Sequence, residues 1–270
     1  MTGDEIRNNY RSSKGGWLPE SRLDEGIEYA SLSDCALNDL GINYWESYRT
    51  DYFYDRIIPN QGIEEILGAL KQTSGTPERW LDLGAAVTTL VWATSVTPTK
   101  SKSIDVCDIS PEALFVLKRF KEGNEIPNFY CRIMERSIEC WKNFLTIRFK
   151  TWRYHVFDCF KPWPSQITFE TFDLITVIGC FGLNEDKVSY GKSFEFAAER
   201  LSKNGVIFGV DWVRSKTFVN EEGHDNRYLD PELIIECASR KGLNCKHLES
   251  VKIENDPNYD FLFIWTFAAS

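Results

Sequence analysis

Short apolar runs alternate with helical segments over the last two thirds of the chain, and this alternation constrains the fold most. The runs span residues 80–83, 103–109, 154–160, 172–178 and 206–213, and helical patterns cover 88–95, 111–122 and 189–201. Such alternation is typical of a parallel sheet covered by helices on both faces. The last two runs, NCKHLESVKI and YDFLFIWTFA, are separated only by ENDPN, which favours an antiparallel hairpin. The pattern predicts an α/β, doubly wound, mostly parallel sheet of seven strands with an antiparallel C-terminal strand.

The domain organisation follows from the same pattern. Residues 1–75 are predicted to form an arm and a helical lid, and residues 76–270 the sheet domain. A basic, amphipathic segment at 131–152 interrupts the step from the second helix to the third strand, and we interpret it as a helical insertion. We expect a surface helix that packs Trp141, Phe144, Leu145 and Phe149 on the core. A docking site for an acidic partner is the alternative.

Charge and cysteine content limit the partners that we expect. The net charge of −9 provides no general attraction to phosphate backbones or anionic lipid, so nucleic-acid and membrane partners are not expected. No apolar run approaches the length of a bilayer span, and the N-terminus lacks the apolar core of a signal peptide, so we predict a cytoplasmic protein. The eight cysteines include no Cys-x-x-Cys pair, which favours reduced cysteines in the core over a metal site.

Acidic residues end three of the predicted strands: Asp82, Asp108 and Asp158. Ligands of doubly wound sheets bind at the carboxyl ends of the strands, where a carboxylate accepts hydrogen bonds from ribose hydroxyls. The first turn contains Gly84 but continues with alanines, whereas a dinucleotide pyrophosphate requires a glycine-rich turn. S-adenosylmethionine carries no phosphate, so the turn favours this cofactor. Asp158 and the Cys159 amide are predicted to contact its adenine.

The motifs, in this order, resemble those of class I S-adenosylmethionine-dependent methyltransferases over about residues 80–270. LDLGAAVTTL is similar to the first motif, VCDISPEAL to the ribose strand, HVFDCF to the adenine strand, FDLITVIGCFGL to the fourth strand and LSKNGVIFGVDWV to the late helix, turn and fifth strand. The resemblance implies the Rossmann-like methyltransferase fold.

A closer resemblance is to the nicotinamide, phenylethanolamine and indolethylamine N-methyltransferases. YWESYR occupies the place of their lid motif Tyr-x-x-x-Tyr-Tyr, which implies that Tyr44 and Tyr48 contact the cofactor and that Arg49 replaces the third tyrosine. Asp211 matches the acidic residue that they place against the substrate amine. The chain departs from their pattern at Val87, Leu90 and Ala113, which replace a proline, a tyrosine and an asparagine.

The predicted site has a cofactor part and an acceptor part, and no metal. Asp211 and Tyr48 are the predicted catalytic residues, and Tyr52, Tyr54, Asp211, Trp212 and His224 are the predicted substrate contacts. The predicted cofactor contacts are Tyr44, Tyr48, Arg49, Asp82, Gly84, Ala85, Ala86, Thr88, Thr89, Asp108, Ile109, Asp158, Cys159, Ile178, Gly179 and Cys180.

Three functions are compatible with these residues. The first is methyl transfer from S-adenosylmethionine to a small molecule at an amine nitrogen, in which alignment of the nucleophile supplies most of the acceleration. The second is an S-adenosylmethionine-consuming cyclase or lyase of the same fold that releases methylthioadenosine. The third is a cofactor-binding module without catalysis. The strand end VIGCFGL differs from Asn-Pro-Pro-Tyr, which argues against nucleobase and glutamine-amide methylation.

Overall fold

One mixed sheet of eight strands lies at the centre of the structure, a computed structural model that describes residues 28–55, 61–97, 102–135, 137–168, 170–254 and 256–269. Its strands are β1 (Ala30–Ser31), β2 (Arg79–Leu83), β3 (Ser103–Asp108), β4 (Thr151–Val156), β5 (Phe172–Ile178), β6 (Leu201–Arg214), β7 (Asn244–Lys252) and β8 (Tyr259–Ala268). Their order across the sheet is β1-β4-β3-β2-β5-β6-β8-β7.

The pairing confirms the predicted doubly wound topology. Strands β4, β3, β2, β5 and β6 are mutually parallel, and β8 pairs antiparallel with both β6 and β7. The eighth strand is β1, which pairs antiparallel with β4 through Ala30 and Ser31. The predicted count of seven strands is therefore one too low, because two residues are too few to show a strand periodicity.

Ten α-helices connect the strands in the described ranges. They are α1 (Asp39–Phe53), α2 (Ile63–Thr73), α3 (Thr89–Ala93), α4 (Pro111–Glu122), α5 (Asn128–Met134), α6 (Ile138–Arg148), α7 (Ser165–Thr168), α8 (Lys187–Ala198), α9 (Lys216–Glu222) and α10 (Pro231–Arg240). Helix α4 has the bounds that its pattern predicts, because Ser110 caps its N-terminus and a proline follows. Helix α1 begins at Asp39, since Leu32–Asp34 form a separate 3₁₀ turn and Asn38 is the cap of α1.

The core occupies both faces of the sheet because successive strand residues point to opposite sides. Trp80 on β2 belongs to the cluster that contains Leu114 and Phe208, whereas its neighbour Leu81 belongs to the cluster of Phe194 and Trp265. This separation decides which side chains can meet at the carboxyl edge of the sheet. No helix in the described part of the chain has the length and apolarity required to cross a membrane.

The insertion consists of two helices, α5 and α6, instead of one. Phe144 is buried as predicted, but Leu145 is 39% and Phe149 is 82% exposed, so the expectation that both pack on the core is wrong. The register of α6 directs Phe144 and Ile147 inward, which leaves Leu145 beside that face. Arg148 is buried and donates to carbonyl groups at the end of α4, those of Phe120 and Lys121 among them. One of the basic residues of this segment, Arg148, therefore caps the C-terminal end of α4.

Candidate functional site

The turn after β2 has an unusual backbone for its sequence. Gly84 adopts a φ of 63° and Ala86 a φ of 44°, a region that L-residues with a Cβ rarely occupy. A Cβ at Gly84 would lie 2.6 Å from Cβ and Sγ of Cys180, at the end of β5. Gly84 is therefore required both by its φ and by the close approach of the two strand ends.

Asp108, the last residue of β3, holds this turn. Its Oδ2 accepts the backbone N–H of Ala86 at 2.9 Å, and its Oδ1 accepts the N–H of Ser110 at 2.8 Å. Burial raises the pKa of Asp108 to about 6, against the lowering effect of these amides. A carboxylate has about four acceptor positions. The Ile109 amide is a third donor to this carboxylate, so Asp108 keeps about one acceptor position for its predicted role on ribose hydroxyls.

Asp82 has different partners from Asp108. Its carboxylate is only 1% exposed, and it accepts hydroxyl hydrogen bonds from Thr89 at 2.6 Å and from Thr176. The indole of Trp80 in turn donates to Thr176 at 2.8 Å. Burial raises the pKa of Asp82 to about 7. The side chain thus joins β2, β5 and α3 beneath the turn and is not presented at the edge of the sheet.

The other residues of the turn and helix α3 are largely engaged within the protein. Ala85 is buried, and its N–H donates to the carbonyl of Cys107 at 2.9 Å. Thr88 donates its hydroxyl to the carbonyl of Ala85 and accepts the indole N–H of Trp92, both at 3.1 Å. Gly84 and Ala86 remain partly accessible.

The neighbouring strand ends complete this edge. Asp158 is partly accessible and its Oδ1 accepts the N–H of Phe160 at 3.0 Å. Cys159 and Cys180 are buried, with their sulfur atoms 3.5 Å apart, and are both free thiols. Gly179, with a φ of 71°, is exposed. Of the remaining predicted contacts, Ile109 is partly accessible and Ile178 is buried.

Helix α1 presents a ladder of aromatic rings. Tyr44 and Tyr48 stack with ring centroids 6.5 Å apart, and Tyr52 follows at 4.8 Å from Tyr48. Tyr44 and Tyr48 pack against an apolar cluster that contains Val87 of the turn. The structure therefore brings these two predicted lid residues to the turn, as the spacing of four indicates.

Arg49 and Tyr54 lie elsewhere. The guanidinium of Arg49 donates to Glu46 at 3.3 Å and lies over the rings of Phe120 and Tyr54, 5.1 and 5.7 Å from their centroids. The Tyr54 hydroxyl donates to Glu125. These two predicted contacts form their own group and are not brought to the face of α1 that carries Tyr44 and Tyr48.

Asp211, at the carboxyl end of β6, is completely buried. Its Oδ2 accepts hydrogen bonds from the Tyr190 hydroxyl and the Trp265 indole, both at 2.9 Å. Its Oδ1 is buried beside Gly182, whose backbone N–H contributes a weaker hydrogen bond to the carboxylate than the two side chains do. Burial raises the pKa of Asp211 to about 6, although the hydrogen bonds from Trp265, Tyr190 and the Gly182 backbone act in the opposite direction.

Two further predicted substrate contacts, Trp212 and His224, have other surroundings. Trp212 lies on the opposite face of β6, against Gly179, and its indole donates to the carbonyl of Gln61 at 3.3 Å. His224 has a buried Nε2, and a hydrogen bond with the backbone of Gly182 acts to raise the pKa of its ring. Burial, followed by the charge of Arg214, lowers the pKa of His224, which favours the neutral imidazole at pH 7.

Several residues that matter at this edge were not predicted. Tyr190 and Trp265 hold Asp211, Thr176 holds Asp82, and Trp45 and Ser110 join the lid to β3. Most of these lie on elements far apart in sequence, so no local pattern indicates their partners. Trp45 is the exception, because its position between the predicted lid residues Tyr44 and Tyr48 is a local indication that it belongs to the lid.

Comparisons with known proteins agree with this architecture. No family profile matches the sequence, and no curated protein matches it. Among solved structures, the N-methyltransferase NodS from Bradyrhizobium japonicum, in complex with S-adenosyl-L-homocysteine, is 16% identical with a TM-score of 0.52, covering 83% of this chain and 91% of its own.

Two further solved structures share the fold. A chain of the complex between the Haloferax volcanii Trm112 methyltransferase activator and the putative methyltransferase is 11% identical with a TM-score of 0.55, covering 87% of this chain and 99% of its own. Phosphoethanolamine N-methyltransferase 2 of Haemonchus contortus, with S-adenosyl-L-methionine, is 16% identical with a TM-score of 0.53, covering 92% and 61%. The chain therefore has the Rossmann-like fold of S-adenosylmethionine-dependent methyltransferases.

Proposed function

We propose that this chain is a cytoplasmic, S-adenosylmethionine-dependent methyltransferase that acts on a small molecule at an amine nitrogen. The observation that carries the proposal is Asp108, whose carboxylate ends β3 and binds the turn after β2 through the Ala86 amide at 2.9 Å. This arrangement joins the predicted ribose acceptor to the predicted cofactor turn. The shared fold with NodS and phosphoethanolamine N-methyltransferase 2 supports the same activity.

The residues at the edge fit this cofactor. Asp108 retains about one acceptor position for ribose hydroxyls, and Gly179 presents no side chain at an exposed strand end. The alanines of the turn leave no glycine-rich cradle for a pyrophosphate, which the cofactor lacks. Tyr44 and Tyr48, on one face of α1 beside the turn, would hold its methionine end.

The cofactor supplies a methyl group on a sulfonium that is already activated, so the protein needs no acid to assist the leaving group. The residues of the chain must align the nucleophile, exclude water and stabilise the positive charge that develops on nitrogen. Helix α1 covers the turn and excludes water from that side. Asp211, with a pKa of about 6, is mostly ionised at pH 7, and its negative charge would stabilise the positive charge that develops on nitrogen.

Asp211 also supports an amine as the acceptor. Tyr190 and Trp265 both donate to Oδ2 and fix the carboxylate, whereas Oδ1 keeps acceptor capacity. Oδ1 lies 3.2 Å from the position that a Cβ on Gly182 would occupy, so only a residue without a side chain leaves this oxygen uncrowded. An amine donates hydrogen bonds, and a buried carboxylate oxygen with spare capacity is a suitable partner for it.

Product analysis tests this function. The purified chain is incubated with labelled S-adenosylmethionine, with and without a panel of primary and secondary amines, and the nucleoside product is identified. S-adenosylhomocysteine that forms only with an amine supports the proposal. Methylthioadenosine formed without an acceptor would replace it with the cyclase or lyase reaction. Cofactor binding without either product would leave a binding module.

A further inference from the structure

The lid helix α1 is fastened to the loop that carries Asp108 by a buried hydrogen-bond network. The indole of Trp45 donates to the hydroxyl of Ser110 at 2.9 Å, and Ser110 donates to Glu112 at 3.1 Å. Glu112 is fully buried and accepts the backbone N–H of Asn38, the cap residue of α1, at 3.1 Å. We call the side chains of Trp45, Ser110 and Glu112 the lid latch.

Ser110 connects the latch to the predicted cofactor site. Its backbone N–H donates to Asp108 Oδ1 at 2.8 Å, while its hydroxyl accepts the Trp45 indole. One residue therefore contacts both the predicted ribose carboxylate and the lid. A displacement of the Asp108 loop moves the attachment point of α1, and a displacement of α1 pulls on the same loop.

Apolar packing around Trp45 explains two departures from the resembled family. Val87 and Ala113, which replace a proline and an asparagine, are fully buried and form a cluster with Trp45. Ala113 is smaller than asparagine and leaves room for the indole ring, and Val87 gives it an apolar contact. The departures are thus consistent with a lid contact made by Trp45, which is 9% exposed.

We propose that Trp45 and Ser110 are positioning residues that fix helix α1 over the cofactor, so that cofactor affinity depends on their hydrogen bond. This inference rests on the proposed function, since it assumes that S-adenosylmethionine binds beside Asp108. The pair acts on cofactor binding and not on the acceptor. Asp211, the proposed acceptor contact, is held by Tyr190 and Trp265, and neither of these residues belongs to the lid latch.

Trp45→Phe removes the indole N–H and keeps a ring, and it isolates the latch better than Ser110→Ala, which also removes the cap of α4. Trp152→Phe is the matched control: this indole is also buried and donates to a carbonyl at 2.9 Å, but its partner is Ile147 of α6 and not the loop that carries Asp108. Ser110→Thr keeps both the hydroxyl and the cap.

The experiment measures the Kd of S-adenosylhomocysteine by calorimetry, and hydrogen exchange of α1 without ligand. We expect Trp45→Phe to raise the Kd about three- to tenfold and to accelerate exchange in α1, as loss of one buried hydrogen bond predicts. Ser110→Ala in the Trp45→Phe background should add little. Trp152→Phe and Ser110→Thr should keep the wild-type Kd. In turnover, KM for the cofactor should rise while kcat stays within about twofold.

Three results would overturn the proposal. Trp45→Phe could bind the ligand as tightly as the wild type, its effect could equal that of Trp152→Phe, or the effects of Trp45→Phe and Ser110→Ala could simply add. Failure of the wild type itself to bind S-adenosylhomocysteine would overturn this inference together with the proposed function. Normal wild-type binding with an unaffected Trp45→Phe variant would overturn this inference alone.

Discussion

Ala86 donates its backbone N–H to Asp108 Oδ2 at 2.9 Å while it adopts a φ of 44°. An alanine in this left-handed region costs about 1–2 kcal/mol, because its Cβ crowds the following carbonyl oxygen. The hydrogen bond to a buried carboxylate offsets this cost. The chain therefore accepts backbone strain at the point where the turn meets the predicted ribose acceptor.

Replacement of Ala86 by glycine should relieve that strain. We expect Ala86→Gly to change the free energy of unfolding by about 0 to +1 kcal/mol, since relief of the φ strain exceeds or balances the entropy that glycine adds to the unfolded chain. Ala85→Gly is the control, because Ala85 is buried at an ordinary negative φ, and it should destabilise by about 1 kcal/mol. Equal destabilisation of both variants in urea titrations would show that Ala86 is not strained.

Gly84 combines a positive φ with a close contact, and two substitutions separate these effects. Gly84→Ala places a Cβ 2.6 Å from Cys180, whereas Gly75 has a similar φ of 61° with nothing within 4 Å of its Cβ position. Gly84→Ala should therefore destabilise by roughly 1–3 kcal/mol more than Gly75→Ala. Chemical denaturation measures both, and equal losses would mean that the approach of β2 to β5 is looser than 2.6 Å implies.

The buried carboxylates make stability depend on pH. The folded pKa of Asp82, about 7, lies above its ordinary value of 3.8, so the folded state retains a proton that the unfolded state loses. The contribution of Asp82 to stability is therefore complete below about pH 4, falls by up to about 1.4 kcal/mol per pH unit as pH rises towards 7, and does not change further above that pH. Asp108 and Asp211, each with a pKa of about 6, contribute only in the lower part of this window.

Asp82→Asn should therefore flatten the decline between pH 6 and 7 in particular. Free energies of unfolding for wild type and variant, measured at intervals from pH 4 to 8, give the difference curve. A difference that does not change between pH 6 and 7 would contradict the raised pKa of Asp82.

Asp211 is proposed to act on the acceptor and not on the cofactor. Asp211→Asn should lower kcat/KM for the amine roughly 10- to 100-fold, the cost of one charged hydrogen bond, and leave the Kd of S-adenosylhomocysteine nearly unchanged. Asp225→Asn is a suitable control, since Asp225 is exposed and paired with Arg227 at 2.5 Å. A parallel loss of cofactor affinity, or wild-type kinetics, would remove Asp211 from the acceptor site.

The sheet was largely predictable because its signals are local. The parallel strands are built around short apolar runs, although β4 contains Arg153 and His155 and begins three residues before its predicted run. The hairpin of β7 and β8 follows from a linker that is too short for a helix. The strand β1 was missed because its two residues acquire a strand conformation only through pairing with β4. The exposure of Leu145 and Phe149 depends on where α6 begins, and helix boundaries are poorly defined by pattern.

The sequence indicates where most of the candidate site residues lie in the fold, but it does not indicate their hydrogen-bond partners. Asp108 and Asp158 lie at the carboxyl edge, as expected, whereas Asp82 is buried beneath it. Nothing near Asp82 in the sequence indicates that Thr176 would bind it, and nothing near Asp211 indicates Trp265. Arg49 follows Tyr48 directly in sequence, yet one helical step of 100° turns it towards Glu46 and Phe120. Such contacts depend on tertiary packing, which a single sequence does not display.

Calorimetric titration of the wild type and Asp108→Asn with S-adenosylhomocysteine tests the central claim most directly. The account predicts one site per chain in the wild type and a Kd raised roughly 10- to 100-fold in Asp108→Asn, because the carboxylate that accepts the ribose hydroxyls becomes a neutral amide. No binding by the wild type, or the same Kd in both proteins, would contradict the assignment of a cofactor site to the carboxyl ends of β2 and β3.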